Sequence, residues 1–134
     1  MANTTQKGDL FENDIYKIVK QLVAKGKFSA NPATAEVYQK KKYPSKDNSR
    51  GVIFDVTVES FFTKDSPKYS VLYAIECKNY SRTVGIEVVR ELRTKLCEVG
   101  SDNTKGLILT KKGFQKGAIE AARENGIALG LLKK

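Results

Sequence analysis

The stretch Tyr69–Arg82, YSVLYAIECKNYSR, decides how the rest of the chain is read. Val71, Leu72, Tyr73, Ala74 and Ile75 form an apolar run of the kind found in a central strand covered on both faces. The run ends on Glu76, Cys77 and Lys78. Side chains alternate along a strand, so Glu76 and Lys78 share one face. Charges at the end of a buried strand cost free energy unless they are paired or used. Glu76 and Lys78 therefore form either a structural ion pair or part of a functional site. The tripeptide does not choose between these, because a chain of this length has about an even chance of containing Glu-x-Lys.

One strand earlier stands GVIFDVTVESFF, residues 51–62. Its even positions Val52, Phe54, Val56 and Val58 predict one apolar face, leaving Ile53, Asp55, Thr57 and Glu59 on the other. The following TKDSPK is a turn containing Pro67. If the two strands pair through that turn, Asp55 and Glu76 converge at one end of the sheet. Two converging carboxylates supply the hard oxygen ligands that Mg²⁺ prefers and leave positions for water and a phosphate. A lysine beside them can orient or help deprotonate an attacking water and offset charge developing at phosphorus.

Outward from this pair, apolar residues Phe11, Ile15, Ile18, Val19 and Leu22 predict a helix from about Asp9 to Ala24, ended by Gly26. Asp9 is placed as its N-cap, with Glu12 in capping-box position. After Pro32, AEVYQ (35–39) is a short strand, and KKKYPSKDNSRG (40–51) is a basic, turn-rich loop. A second helix runs from about Val84 to Gly100 on a stripe of Val88, Leu92, Leu96 and Val99. KGLILTKKG follows as a buried strand. FQKGAIEAAREN is a third helix with Phe114, Ala118, Ala121 and Ala122 facing inward, and IALGLL is a last strand. The order α-β-β-β-α-β-α-β describes an α/β fold with a mixed central β-sheet flanked by helices, expected as one domain over residues 1–134.

Charge is unevenly placed. Residues 1–50 carry 10 basic and 5 acidic side chains, 51–100 carry 7 of each, and 101–134 carry 7 and 3. A basic body around a balanced middle suits a polyanion-binding protein, and equally a lysine-rich solvated surface. The chain has no histidine, which excludes mechanisms needing imidazole as base or ligand. Cys77 and Cys97 have no metal-ligand spacing and are expected as reduced packing residues in a cytoplasmic protein. No apolar run is long enough for a membrane helix, and no secretory signal is expected at the N-terminus.

Several other side chains have two possible roles. Glu12 caps its helix or joins the carboxylates. Lys41, Lys42 and Arg50 in the basic loop, and Lys111, Lys112 and Lys116 around the third helix, contact DNA phosphates or are solvated surface. Arg82 contacts phosphate or solvent, and Tyr80 stacks on a base or packs. Glu87 and Glu91 are expected to face solvent.

Taken together, FDV, then IECKNY, then a helix, then GLILTKKGFQKGAIEAARENGIALGLL resembles the catalytic domain of Mrr-like restriction endonucleases, within the PD-(D/E)XK nuclease superfamily. The resemblance covers about Gly8 to Leu132. It implies a restriction-endonuclease-like core and a Mg²⁺-dependent DNA endonuclease in which Mn²⁺ can substitute. Asp55 and Glu76 become the metal-binding carboxylates and Lys78 the catalytic lysine, with the main-chain carbonyl of Ile75 or Cys77 completing the metal site. KGDLFEND matches the start of related nucleases and junction resolvases, which brings in Glu12. No proline precedes Asp55, no glutamine follows Lys78 as in many members, and residues 39–51 have no assigned counterpart. The alternatives are a non-catalytic DNA-binding or assembly module of the same fold, and a Holliday-junction-resolvase-like nuclease. Expected partners are DNA, a second copy of the chain, or a separate specificity subunit.

Overall fold

The computed structural model describes residues 4–47 and 49–132. Helix α1 (Thr4–Ala24) is followed by a 3₁₀ turn over Pro32–Thr34 and strand β1 (Ala35–Gln39). Two-residue strands β2 (Lys42–Tyr43) and β3 (Val52–Ile53) pair as a hairpin set apart from the main sheet. Then come β4 (Val56–Ser60), β5 (Val71–Lys78), α2 (Ile86–Val99), β6 (Thr104–Thr110), α3 (Lys116–Glu124) and β7 (Ala128–Leu131). The main sheet has the order β1-β4-β5-β6-β7. Its first three strands are antiparallel, and β5, β6 and β7 are parallel, joined through α2 and α3. This is the mixed sheet flanked by helices that the hydrophobic pattern predicts.

Each face of the sheet carries its own core. Phe11, Ile15, Val19 and Val23 of α1 pack on Val56, Val58 and Ile75. On the opposite face Val88, Val89, Leu92 and Leu96 of α2, with Ala118 and Ala122 of α3, cover Leu72, Ala74 and Ile108. The central strand β5 is thus apolar on both faces because a helix layer covers each. Gly106 on β6 sits where α2 comes closest. A Cβ there would lie 2.8 Å from Leu96 Cδ1 and 3.2 Å from Leu92 Cδ2.

The hydrophobic pattern misplaces several residues. Helix α1 begins at Thr4, so Asp9 is an exposed residue inside the helix and not its N-cap, and Glu12 does not serve a capping box there. A single glycine, Gly8, costs a helix only about 1 kcal/mol, which the buried contacts of Phe11 and Ile15 outweigh. Ile18 is largely exposed, and Val23 takes the place in the apolar stripe expected for it. The even positions of 52–58 do not share a face: Val52 and Phe54 enter the α2/α3 core, whereas Val56 and Val58 enter the α1 core. The chain leaves the ladder at Phe54 and Asp55 as it passes from the hairpin to the main sheet, which breaks the two-residue period. The opposite face is mixed, with Ile53 exposed. Thr57 and Glu59 lie buried beneath the hairpin, where the Tyr43 hydroxyl donates to Glu59 Oε2 at 2.7 Å and lies 2.8 Å from Thr57 Oγ1. Gly51 enters β3 with φ 77°, and a Cβ there would lie 2.7 Å from the Tyr43 carbonyl oxygen. Phe114 precedes α3 and bridges to Val84, and Cys97 is exposed on α2, so it is not a packing residue. Among the described residues no helix is long and apolar enough to cross a membrane.

Gly106→Val inserts side-chain atoms between β6 and α2 and is expected to destabilise the fold by about 1–3 kcal/mol. A lower urea midpoint at unchanged slope checks this.

Candidate active site

The register of β4 and β5 places the site. Val56 lies opposite Ile75, so the preceding Asp55 comes alongside Glu76 at the end of the ladder. Asp55 Oδ2 accepts a hydrogen bond from the Cys77 amide at 2.8 Å, which ties the start of β4 to the end of β5. The Asp55 and Glu76 carboxyl groups are themselves within hydrogen-bonding reach, Glu76 donating when protonated.

Three further elements deliver side chains to this point. Helix α1 brings Glu12, buried at 6% exposure, whose Oε2 accepts from Gln39 Nε2 at 2.8 Å. The bend after β1 brings Lys40, whose Nζ lies 3.0 Å from Glu12 Oε1 and 2.9 Å from Asp55 Oδ1. Helix α2 brings Lys95, whose Nζ donates to Glu76 Oε1 at 2.7 Å and to the Ile53 carbonyl at 3.1 Å. The ion partner of Glu76 is therefore Lys95 from another element, and not its strand neighbour Lys78. Lys78 is half-buried, with its Nζ 6.0 Å from the centre of the Tyr80 ring, and makes no ion pair among the described residues.

The carboxylates titrate apart. Burial pushes Glu76 up, as does the adjacent negative charge of Asp55, to about 7. Burial also works against the Asp55 anion, but the Glu76 hydrogen bond, the Cys77 amide and Lys40 outweigh it and hold Asp55 well below the usual carboxylate range. Glu12 is raised by burial, against its bonds from Gln39 and Lys40. For Lys40, burial favours the neutral amine, but Asp55 and Glu12 overcome it and raise the ammonium. Burial, then the charge of Asp55, push the Cys77 thiol up, so it stays protonated and packs beside the α1 core.

Among the described residues no three Asp, Glu, Cys or His side chains form a ready-made ligand cage. The donor set nonetheless fits a hard divalent cation. Asp55 and Glu76 place two oxygen donors side by side, and the charge of one disfavours ionisation of the other until a cation relieves it.

The remaining candidates are spread around this centre. Lys41 bonds to Glu59 at 2.6 Å and lies 4.0 Å from the centre of the Tyr38 ring, so it has an internal partner. A 320 Å³ recess lined by Lys41, Lys42, Tyr43, Glu59 and Tyr69 includes none of the clustered carboxylates. Arg82 lies 5.2 Å from the Tyr80 ring centre, and Lys111 lies 5.2 Å from that of Phe11. Lys42, Arg50, Lys112 and Lys116 are exposed, as are Glu87 and Glu91. Gln39, Lys40 and Lys95 are members of the cluster that the sequence did not single out. Lys95 carried a faint signal, a lysine bordering the apolar stripe between Leu92 and Leu96. Lys40 was hidden in a run of three lysines.

The sequence profile of the Mrr catalytic domain, described as restriction endonuclease, matches residues 17–131. The chain belongs to this restriction endonuclease family. The match begins after Glu12, whose place at the site rests on the geometry alone. No curated protein matches the chain. Three solved structures share the fold of this restriction endonuclease domain. Protein VC1899 from Vibrio cholerae is 17% identical with TM-score 0.67, over 97% of this chain and 33% of that one. A repair endonuclease from Pyrococcus abyssi is 17% identical with TM-score 0.53, over 86% and 45%. EndoMS in a complex with double-stranded DNA is 16% identical with TM-score 0.54, over 92% and 46%. The domain thus spans less than half the length of each of these chains.

The raised Glu76 makes the metal-free fold pH-sensitive. A carboxyl whose folded pKa exceeds its unfolded value stabilises most below the unfolded value and loses that contribution as pH rises through the folded one. Between pH 5 and pH 8, Asp55 is ionised in both states and adds no slope. Glu76→Gln is therefore expected to flatten the pH dependence. Relative to it, the metal-free wild type loses on the order of 2 kcal/mol from pH 5 to pH 8. Chemical denaturation of both proteins in chelator at the two pH values measures the difference.

Proposed function

We propose that this chain is the catalytic domain of a metal-dependent DNA endonuclease that hydrolyses phosphodiester bonds. The observation that carries this is the Asp55–Glu76 pair, buried at the end of β4 and β5 and fixed by the Cys77 amide. Lys40 and Lys95 each offset one of these charges, yet the two carboxylates still lie side by side, an arrangement that suits one shared divalent ion better than two separate ion pairs. Asp55 and Glu76 are the residues that hold Mg²⁺, or Mn²⁺ in its place, with the Ile75 or Cys77 carbonyl as a further oxygen ligand. Glu12 lies next to this pair, linked to Asp55 through Lys40. When bound, the metal polarises the phosphate and makes a coordinated water more acidic.

The chain's own residues do the positioning. Lys78 shares the face of β5 with Glu76 and, among the described residues, is not drawn into an ion pair, which leaves its ammonium to orient the attacking water and offset charge at phosphorus. Asp55, held as the anion, is the ligand already in place, and Glu76 joins it as the second ligand once a cation offsets the repulsion between them. Arg82 follows β5, and Lys111 and Lys112 follow β6, at the sheet end that carries Glu76 and Lys78; with Lys116 at the start of α3 they are assigned to the DNA backbone, with Lys42 and Arg50 as outer contacts. Lys41 is the weakest of these assignments, since Glu59 already holds it. The similarity to EndoMS bound to double-stranded DNA supports DNA as the substrate class. Choice of target is assigned to a second copy or a separate specificity subunit.

Supercoiled and linear duplex DNA incubated with the protein are expected to be nicked or cut with Mg²⁺ or Mn²⁺ and to stay intact in chelator. Asp55→Asn, Glu76→Gln and Lys78→Ala are each expected to slow cleavage by about 100-fold or more. Cleavage at wild-type rates in Asp55→Asn and Lys78→Ala would overturn the proposal.

A further inference from the structure

Lys40 has no part in the chemistry just described, yet it is the most constrained lysine of the site. It is the only non-glycine residue with a positive φ, 55°, among the described residues. That backbone conformation costs an L-residue roughly 1–2 kcal/mol. The bend it makes sends consecutive lysines apart: Lys41 goes to Glu59, and Lys40 goes to the carboxylates. Its amide donates to the Asp55 carbonyl at 3.0 Å while its ammonium bridges Asp55 and Glu12. Main chain and side chain thus both hold the residue against Asp55.

Lys40 and Lys95 are placed differently. Lys95 has a second acceptor in the Ile53 carbonyl and keeps an anchor if Glu76 turns to another cation. Among the described residues the Lys40 side chain binds only carboxylates, and at 53% exposure against 36% for Lys95 it is the more accessible of the two ammonium groups. Lys40 offsets a single charge, so a divalent ion that takes its place brings one more positive charge to the carboxylates than the ammonium it displaces.

We propose that Lys40 is an internal counter-cation, which holds Asp55 and Glu12 in place without metal and which a divalent ion must displace to bind. The inference rests on the metal-dependent reading above and deepens it. Lys40 is a positioning residue that lowers the metal affinity of the site while keeping its carboxylates assembled.

The test needs no DNA. Calorimetric titration of the intact chain with MnCl₂ at pH 8 compares wild type, Lys40→Met, Lys40→Gln and Asp55→Asn, together with the thermal midpoint of each with and without Mn²⁺. Lys40→Met and Lys40→Gln are expected to bind Mn²⁺ about fivefold more tightly, the size expected from releasing partly exposed ion pairs. They are also expected to melt lower without metal and to gain more on adding it. If Asp55→Asn abolishes binding but neither Lys40 variant tightens it, the Lys40 inference falls and the nuclease reading stands. Mn²⁺ binding that survives Asp55→Asn, or no binding by any of the four proteins, overturns both.

Discussion

Two like charges held side by side at the end of a sheet set the terms for the rest of this molecule. Asp55 and Glu76 meet because β4 and β5 pair in one register, and the Cys77 amide locks that register at its last step. A slip of one residue would turn every side chain of β4 to the opposite face, removing Asp55 from the site and Val56 and Val58 from the α1 core together. The hydrophobic alternation that stabilises the fold thus also aims the carboxylate. Each charge then requires a counter-charge, and the fold draws these from α2, with Lys95, and from the bend after β1, with Lys40.

The site is a seam between two cores. Helix α1 reaches it from one face with Glu12, helix α2 from the other with Lys95, and the sheet supplies Gln39, Asp55 and Glu76 along its end. Neither helix needs these polar groups for its own packing, since the buried apolar side chains of each already fix its position. The helix layers act as a rigid frame, and the charged residues are carried on it at fixed distances. Such preorganisation suits phosphodiester chemistry, where positioning and electrostatic stabilisation supply most of what the protein contributes.

A second buried polar group shows how differently the same residue types can serve. Glu59, four residues after Asp55, is also buried and also bonded to a lysine. Its partners are the Tyr43 hydroxyl and Lys41, so its charge is satisfied within the fold, and its cross-strand neighbour Glu36 is exposed to solvent. It anchors the small hairpin to the main sheet. Asp55 differs in that the carboxylate beside it, Glu76, is itself buried.

The sequence by itself determined the order of the three helices and the five main-sheet strands and the central place of β5, because the hydrophobic pattern marks each of them; it made the meeting of Asp55 with Glu76 conditional on β4 pairing with β5, and the register supplies that pairing. It also carried enough of the motif to show the family. It did not determine that Asp9 lies inside a longer helix, that the apolar face changes sides at Phe54 and Asp55, or that Cys97 is exposed, since each depends on which layer covers the segment. Nor could it show that Glu76 pairs with Lys95 and not Lys78, or that Lys40 alone of three consecutive lysines reaches the carboxylates. Those contacts join residues 15 to 28 positions apart that share no local pattern. Only packing of α1, α2 and the β1 bend around one sheet end brings them within bonding distance.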